Sequence, residues 1–300
     1  MSLWISISVA AAVFQTLRFM LQKVMAKQTL SAAGATFARF LYSAPIIMLL
    51  TMLYLNQTGQ PWPDLSPQFW MYAATGGLAQ VLATVCVVLV FKSRNFAVGI
   101  TFKKTEVILA VLVGIVVLGD QVSWQGLGAI VLGLIGVLLL SSPAQIGAWN
   151  WRMMFNRAAG LGILSGAFFA VSAVTYRGAS LQLDMADYWG RAGVTLAMVT
   201  SMQLTGMTIY LFLRERGEIS AVWQARRVAG WIGILSMVGS FFWFTAFTLQ
   251  NAAYVKAVGQ IELIFSLLVT VLFFKEKITL REWIGVAVLG MSVLGMVVLA

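Results

Sequence analysis

The chain has 300 residues, of which 60% are hydrophobic and only 10% charged, and its mean hydropathy is +0.90. A soluble domain is about 45–50% apolar and about 25% charged, so lipid must be the solvent for much of this surface. With no His and a single cysteine, Cys86, the sequence excludes a disulfide framework and argues against a zinc or haem centre; the +10 net charge reads as basic loops facing a cytoplasm, not as nucleic-acid binding.

A span needs about 20 mostly apolar residues. Ten segments qualify: 3–22, 34–55, 69–91, 96–118, 122–141, 157–178, 187–212, 229–250, 252–274 and 280–299. The first has no basic leader and no small-residue cleavage site, and reads as a membrane helix. The expected fold is therefore an all-α polytopic membrane protein of ten transmembrane helices. Gly and Pro between spans two and three mark a plain loop over Asn56–Asp64. Trp149 and Trp151 in the middle linker suit an interfacial segment.

Taken in chain order, the polar residues inside spans are few. Arg18 and Lys23 read as snorkelling residues near a helix end. Arg39 and Arg191 sit near the starts of spans two and seven; they either snorkel or select an anionic group at a mouth. Gly76, Gly77, Gly126, Gly128, Gly133 and Gly136 permit close helix contact. Lys103 and Glu106 are three apart and share a face, whereas Lys104 points about 100° away and needs another partner. Asp184 and Asp187 precede span seven and suit helix capping. Span eight carries Trp231, Phe241, Phe242, Trp243, Phe244 and Phe247, a set that reads first as lipid-facing bulk and second as a cavity wall. Asn251-Ala252-Ala253 is a turn or a helix break. On span nine Lys256 and Gln260, four apart, form a polar stripe, and Glu262 follows. Glu106 and Glu262 each lie about ten residues, or about 15 Å, into their spans, near the middle of a core about 30 Å thick. Groups there face a cavity more often than lipid. They bind solute or a coupling proton, or else lock two helices as ion pairs.

The chain repeats itself. Asn95–Asp120 aligns without a gap on Asn251–Glu276, placing Asn95 on Asn251, Glu106 on Glu262 and Asp120 on Glu276. After one inserted residue Gly128 and Gly133 fall on Gly285 and Gly290, and Arg39 corresponds to Arg191. Two repeats are expected, 1–142 and 157–300. Five spans per repeat is an odd number, so the second must enter the membrane from the opposite side.

Each repeat closes on an acid, a short polar turn and a Gly-rich helix: Leu118-Gly119-Asp120-Gln121-Val122-Ser123 with Gly128, then Phe274-Lys275-Glu276-Lys277-Ile278-Thr279 with Gly285. This layout resembles the drug/metabolite transporter superfamily, EamA-type; Asp120 replaces the Glu of the usual ending. The resemblance implies a ten-helix basket with a central cavity that moves amino acids, related metabolites or amphiphiles, often outward.

Thirteen of the 20 basic residues fall in odd-numbered loops and Arg177 alone in an even one. Positive charge favours the cytoplasmic side, which predicts both termini outside, in a bacterial inner membrane. The expected function is secondary active transport, as an exporter, of a small polar metabolite such as an amino acid or organic anion. The candidate site is Glu106, Glu262, Lys103, Lys104, Lys256, Gln260, Arg39 and Arg191. The alternative is efflux of amphiphilic cations. The expected partners are a small solute and the bilayer, with no cofactor; a nucleophile motif and a phosphate-binding Gly loop are both missing, which argues against an enzyme.

Overall fold

Apolar runs of this length fold as helices because the bilayer leaves no other way to satisfy backbone polar groups. The computed structural model describes residues 2–26, 30–91, 102–141, 157–265, 267–268 and 279–299. Among them it contains helices and no strand. The helices are α1 (Leu3–Ala26), α2 (Ala32–Thr58), α3 (Pro67–Phe91), α4 (Glu106–Leu118), α5 (Trp124–Ser141), α6 (Arg157–Leu181), α7 (Tyr188–Arg214), α8 (Glu218–Gln224), α9 (Arg226–Leu249), α10 (Ala252–Gly259) and α11 (Leu280–Leu299). Six of these, α1, α2, α3, α6, α7 and α9, are long and apolar enough to cross a membrane. Helices α4 and α5 are shorter and equally apolar.

Local chemistry sets the helix ends. Ser31 caps α2 by accepting from Gly34 N–H at 2.9 Å, and Gly59 ends it at φ +66°. Gly119 ends α4 in the same left-handed conformation, which lets Asp120 N–H reach back to Gly114 O at 3.1 Å. Only a residue without Cβ adopts that turn cheaply. Asp187 caps α7, accepting from Trp189 N–H at 3.2 Å and Gly190 N–H at 2.7 Å. Asn251 caps α10 through Ala253 N–H at 3.0 Å, so the Asn-Ala-Ala run is a helix start.

The surface is apolar and the interior partly polar, the reverse of a soluble protein. Val116, Trp124 and Phe212 are largely exposed, while Arg18, Arg39, Lys104 and Glu106 are buried. Buried hydroxyls turn back on their own helices: Thr16 Oγ1 donates to Ala12 O at 2.9 Å and Ser43 Oγ to Arg39 O at 2.7 Å. Such internal bonding is what a hydrocarbon surround requires.

The principal helix packings come in matched sets. Helix α3 runs along α6, and α1 runs along α9; α2 pairs with α7, and α5 with α11. Exchanging the first five spans for the last five maps this set onto itself. The α5–α11 seam is close because Gly136 faces the backbone of Leu289 and Gly285, and Ser292 Oγ donates to Ala129 O at 2.6 Å.

Two readings of the sequence are corrected here. Spans four and nine are not continuous helices. Residues 104–105 form a turn before α4, and residues 260–261 form a turn between α10 and the helical turn at 262–265. These turns are equivalent positions in the repeat alignment. Arg177 is not in an even-numbered loop but in the last turns of α6, so the even-numbered loops 59–66, 119–123, 182–187 and 250–251 carry no Lys or Arg. The segment 95–101, the middle linker with its two Trp, and Glu276 lie outside the described residues.

Candidate functional site

The two helix breaks put a carboxylate at the start of a new helical segment in each half. Glu106 is the first residue of α4, and Glu262 opens the turn at 262–265. Hydrogen bonds of the tighter i to i+3 kind cover each break: Thr105 N–H to Phe102 O at 3.2 Å, and Gln260 N–H to Ala257 O and Ile261 N–H to Val258 O, both at 3.1 Å. A helix N-terminus carries partial positive charge, which stabilises an acid placed there. Gly166 of α6 lies against the first break; a Cβ there would stand 2.8 Å from Lys103 O and 3.2 Å from Glu106 N.

The carboxylates pair across the halves. Lys104 Nζ of the first half bonds Glu262 Oε1 of the second. Lys256 Nζ of the second half lies 3.8 Å from Glu106 Oε2 of the first. Lys103 Nζ stands 3.8 Å from Glu106 Oε1. Glu262 Oε2 also accepts from Gln15 Nε2 at 2.6 Å, and Gln15 Oε1 accepts from Trp243 Nε1 at 3.1 Å. Aromatic faces surround the lysines: Lys256 Nζ is 5.0 Å from the Trp243 ring centre and 5.3 Å from that of Phe169, and Lys103 Nζ is 5.0 Å from Phe169. Desolvated cation–π contacts of this kind are worth about 2 kcal/mol.

Beside this network is a small cavity of about 30 Å³, room for one or two waters. Arg18, Arg39 and Lys256 line it, with Gln80, Tyr176 and Trp243 among its other walls. Arg39 Nη2 donates to Ser240 Oγ at 2.9 Å and Nη1 to Thr84 Oγ1 at 3.4 Å. Arg18 is 3% exposed, and its Nη1 has no hydrogen-bond partner among the described residues.

Of the residues singled out from sequence, the structure brings together Glu106, Glu262, Lys103, Lys104, Lys256 and Arg39. Gln260 adjoins them, its Nε2 donating to Lys256 O at 3.2 Å, with Oε1 buried and without a partner among the described residues. Arg191 is elsewhere: it is half-buried at the start of α7, its Nε bonded to Met185 O. Asp184 is exposed and caps nothing, whereas Asp187 does.

Sequence reasoning misplaced Arg18, which turns inward instead of snorkelling. A signal was present: Gln15 and Arg18 are three apart and share one face of α1. It also misread part of span eight. Trp231 is exposed, but Trp243, Phe244 and Phe247 are buried at the cavity.

A helical chain with an apolar exterior, a buried ionic network and a repeated pair of broken helices is a polytopic membrane protein. It belongs to the EamA-like transporter family, whose model matches it twice, over residues 2–142 and 156–298. Two curated relatives, each described as an uncharacterized transporter, come from Helicobacter pylori strains J99 and 26695. They are 23% and 22% identical over 199 residues. Each alignment covers 65% of this chain and 62% of the relative. A protein solved by crystallography shares the fold, with a TM-score of 0.72 at 15% identity, over 99% of this chain and 97% of its own.

Proposed function

We propose that the chain is a secondary carrier that moves a small polar metabolite across a membrane by alternating access, with its two halves, 1–142 and 157–300, rocking about the buried ionic network. The observation that carries this reading is the pair of helix breaks at 104–105 and 260–261, each followed by an acid in an ion pair with a lysine of the other half. Broken helices near the midplane, at corresponding places in two repeats, are where carriers hold solute and coupling ions. Ion pairs that bridge the halves must be remade when the halves move, and a charged solute can substitute for one partner.

Efflux of amphiphilic cations is the weaker reading, because the cavity walls include three cationic side chains and no acid. Export over uptake, and an inner-membrane location with both termini outside, rest on the family resemblance and on the Lys/Arg distribution respectively.

The test is flux into proteoliposomes. A panel of radiolabelled amino acids and organic anions is presented with and without a pH gradient. Saturable uptake that falls at least tenfold in both Glu106→Gln and Glu262→Gln supports the reading. Flux indistinguishable from protein-free vesicles for every solute removes it.

A further inference from the structure

The buried charges do not balance. Among the described residues five cations are buried, Arg18, Arg39, Lys103, Lys104 and Lys256, against two carboxylates, Glu106 and Glu262. That leaves three positive charges without a buried counter-charge. The lysines take up both acids, since Lys104 holds Glu262 while Lys103 and Lys256 flank Glu106. Among the described residues neither guanidinium has a carboxylate oxygen within ion-pair distance. Arg39 bonds only hydroxyls, Ser240 and Thr84, among the described residues. Arg18 rests on the Phe19 ring at 4.4 Å, and its Nη1 has no hydrogen-bond partner among the described residues. It feels Arg39 as a like charge and Glu262 as an opposite one, which it shares with Lys104 and Gln15. A charge without a close counter-charge is costly in a low dielectric, so two of like sign lining one small cavity call for an anion.

We propose that Arg18 and Arg39 form a guanidinium cleft that selects solute by an oxyanion group, a carboxylate or a phosphonate-like head, with the solute's planar body against Trp243 and Phe247. This rests on the carrier reading and names its substrate class. Guanidinium presents paired donors in a planar fork that matches two oxygens of such a group, which an ammonium cannot do. The cavity of about 30 Å³ has the size of an anionic head group. The body of the solute enters as the halves part, along the ring faces of Trp243 and Phe247, which stack with centres 5.7 Å apart.

The experiment is thermal unfolding of detergent-purified full-length protein with four probes that share a ring: benzoate, phenylphosphonate, benzylamine and benzyl alcohol. The two anions are expected to raise Tm saturably, and the amine and alcohol are not. Arg18→Gln and Arg39→Gln should each weaken anion binding at least tenfold, and Arg18→Lys should restore only part of it. A second readout needs no ligand: Arg18→Met removes an unpaired buried charge and should raise the Tm of the unliganded protein. Equal anion binding by Arg18→Gln, binding of benzylamine in preference to benzoate, or no shift from either anion overturns the proposal. Saturable proteoliposome flux of an uncharged or cationic solute, with no anion shift, removes the cleft and leaves the carrier. Anion binding that depends on Arg18, without flux of any solute, leaves the cleft and removes the carrier.

Discussion

Arg177 Nε stands 3.6 Å from Asp120 Oδ1, and its Nη1 donates to Phe247 O at 2.8 Å, so one side chain ties together the ends of α4, α6 and α9. The tie lies on the even-loop face, where Tyr54 Oη also donates to Asp187 Oδ2 at 2.7 Å across the halves. In the carrier reading these contacts hold that face shut. Asp120→Asn should weaken the closure by about 1–2 kcal/mol, a factor of about 5–30 in the open population. Cys86 is the only cysteine, so Cys86→Ala provides a clean background. In it, Ser172→Cys at the cavity should react faster with an impermeant maleimide added from the even-loop side when Asp120 is Asn. An unchanged labelling rate would show that the pair does not hold the face shut.

The two acids should differ in what they do for stability. Glu262 is bonded by Lys104 and Gln15 together, whereas Glu106 holds its lysines at 3.8 Å and leaves Oε2 without a hydrogen bond. Breaking a buried pair by removing one partner costs about 3–5 kcal/mol. Glu262→Gln should therefore lower Tm more than Glu106→Gln. Removing both charges, in Lys104→Met with Glu262→Met, should recover most of the loss. Thermal unfolding of the four proteins decides it, and equal losses for the two single variants would contradict the geometry.

Gly166→Ala pushes on the first helix break from behind. Its Cβ would meet Lys103 O at 2.8 Å and Thr105 Oγ1 at 3.1 Å. Overpacking against backbone costs about 1–3 kcal/mol. The expected outcome is a folded protein with flux reduced severalfold. Gly160→Ala, on the same helix with open space around it, should behave as wild type. Comparable flux from the two variants would mean that the turn at 104–105 tolerates displacement.

The even-numbered loops carry no Lys or Arg, while Arg214, Arg216, Arg226, Arg227 and Arg281 lie between or beside spans on the opposite face. A fluorescent protein that matures only in the cytoplasm, fused after Ala300, should stay dark; alkaline phosphatase at the same place should be active. Bright fluorescence there would reverse the orientation.

The helical class, the positions of the six long spans and the correspondence of Glu106 with Glu262 follow from hydropathy and register, because lipid admits few backbone solutions and a repeat leaves matching residues at matching places in the sequence. The breaks at 104–105 and 260–261 were only faintly marked: Thr105 and Ile261 are β-branched and Gly259 precedes the second turn, but such residues are common inside membrane helices and neither turn contains Pro. Only the packing shows what lies against them: Gly166 beside the first break, and the Trp243 ring beside Gly259 at the second.

Arg18 and Arg191 mark the boundary most clearly. Each is a long cation near a helix end, and its sequence neighbours allow it to reach an interface or to fold inward. Sequence alone determined that these charges sit in membrane helices. Which of them meet around one cavity was decided by how α1, α2, α9 and α10 pack, since a helix that is apolar nearly all round does not specify which of its faces is turned toward its neighbours.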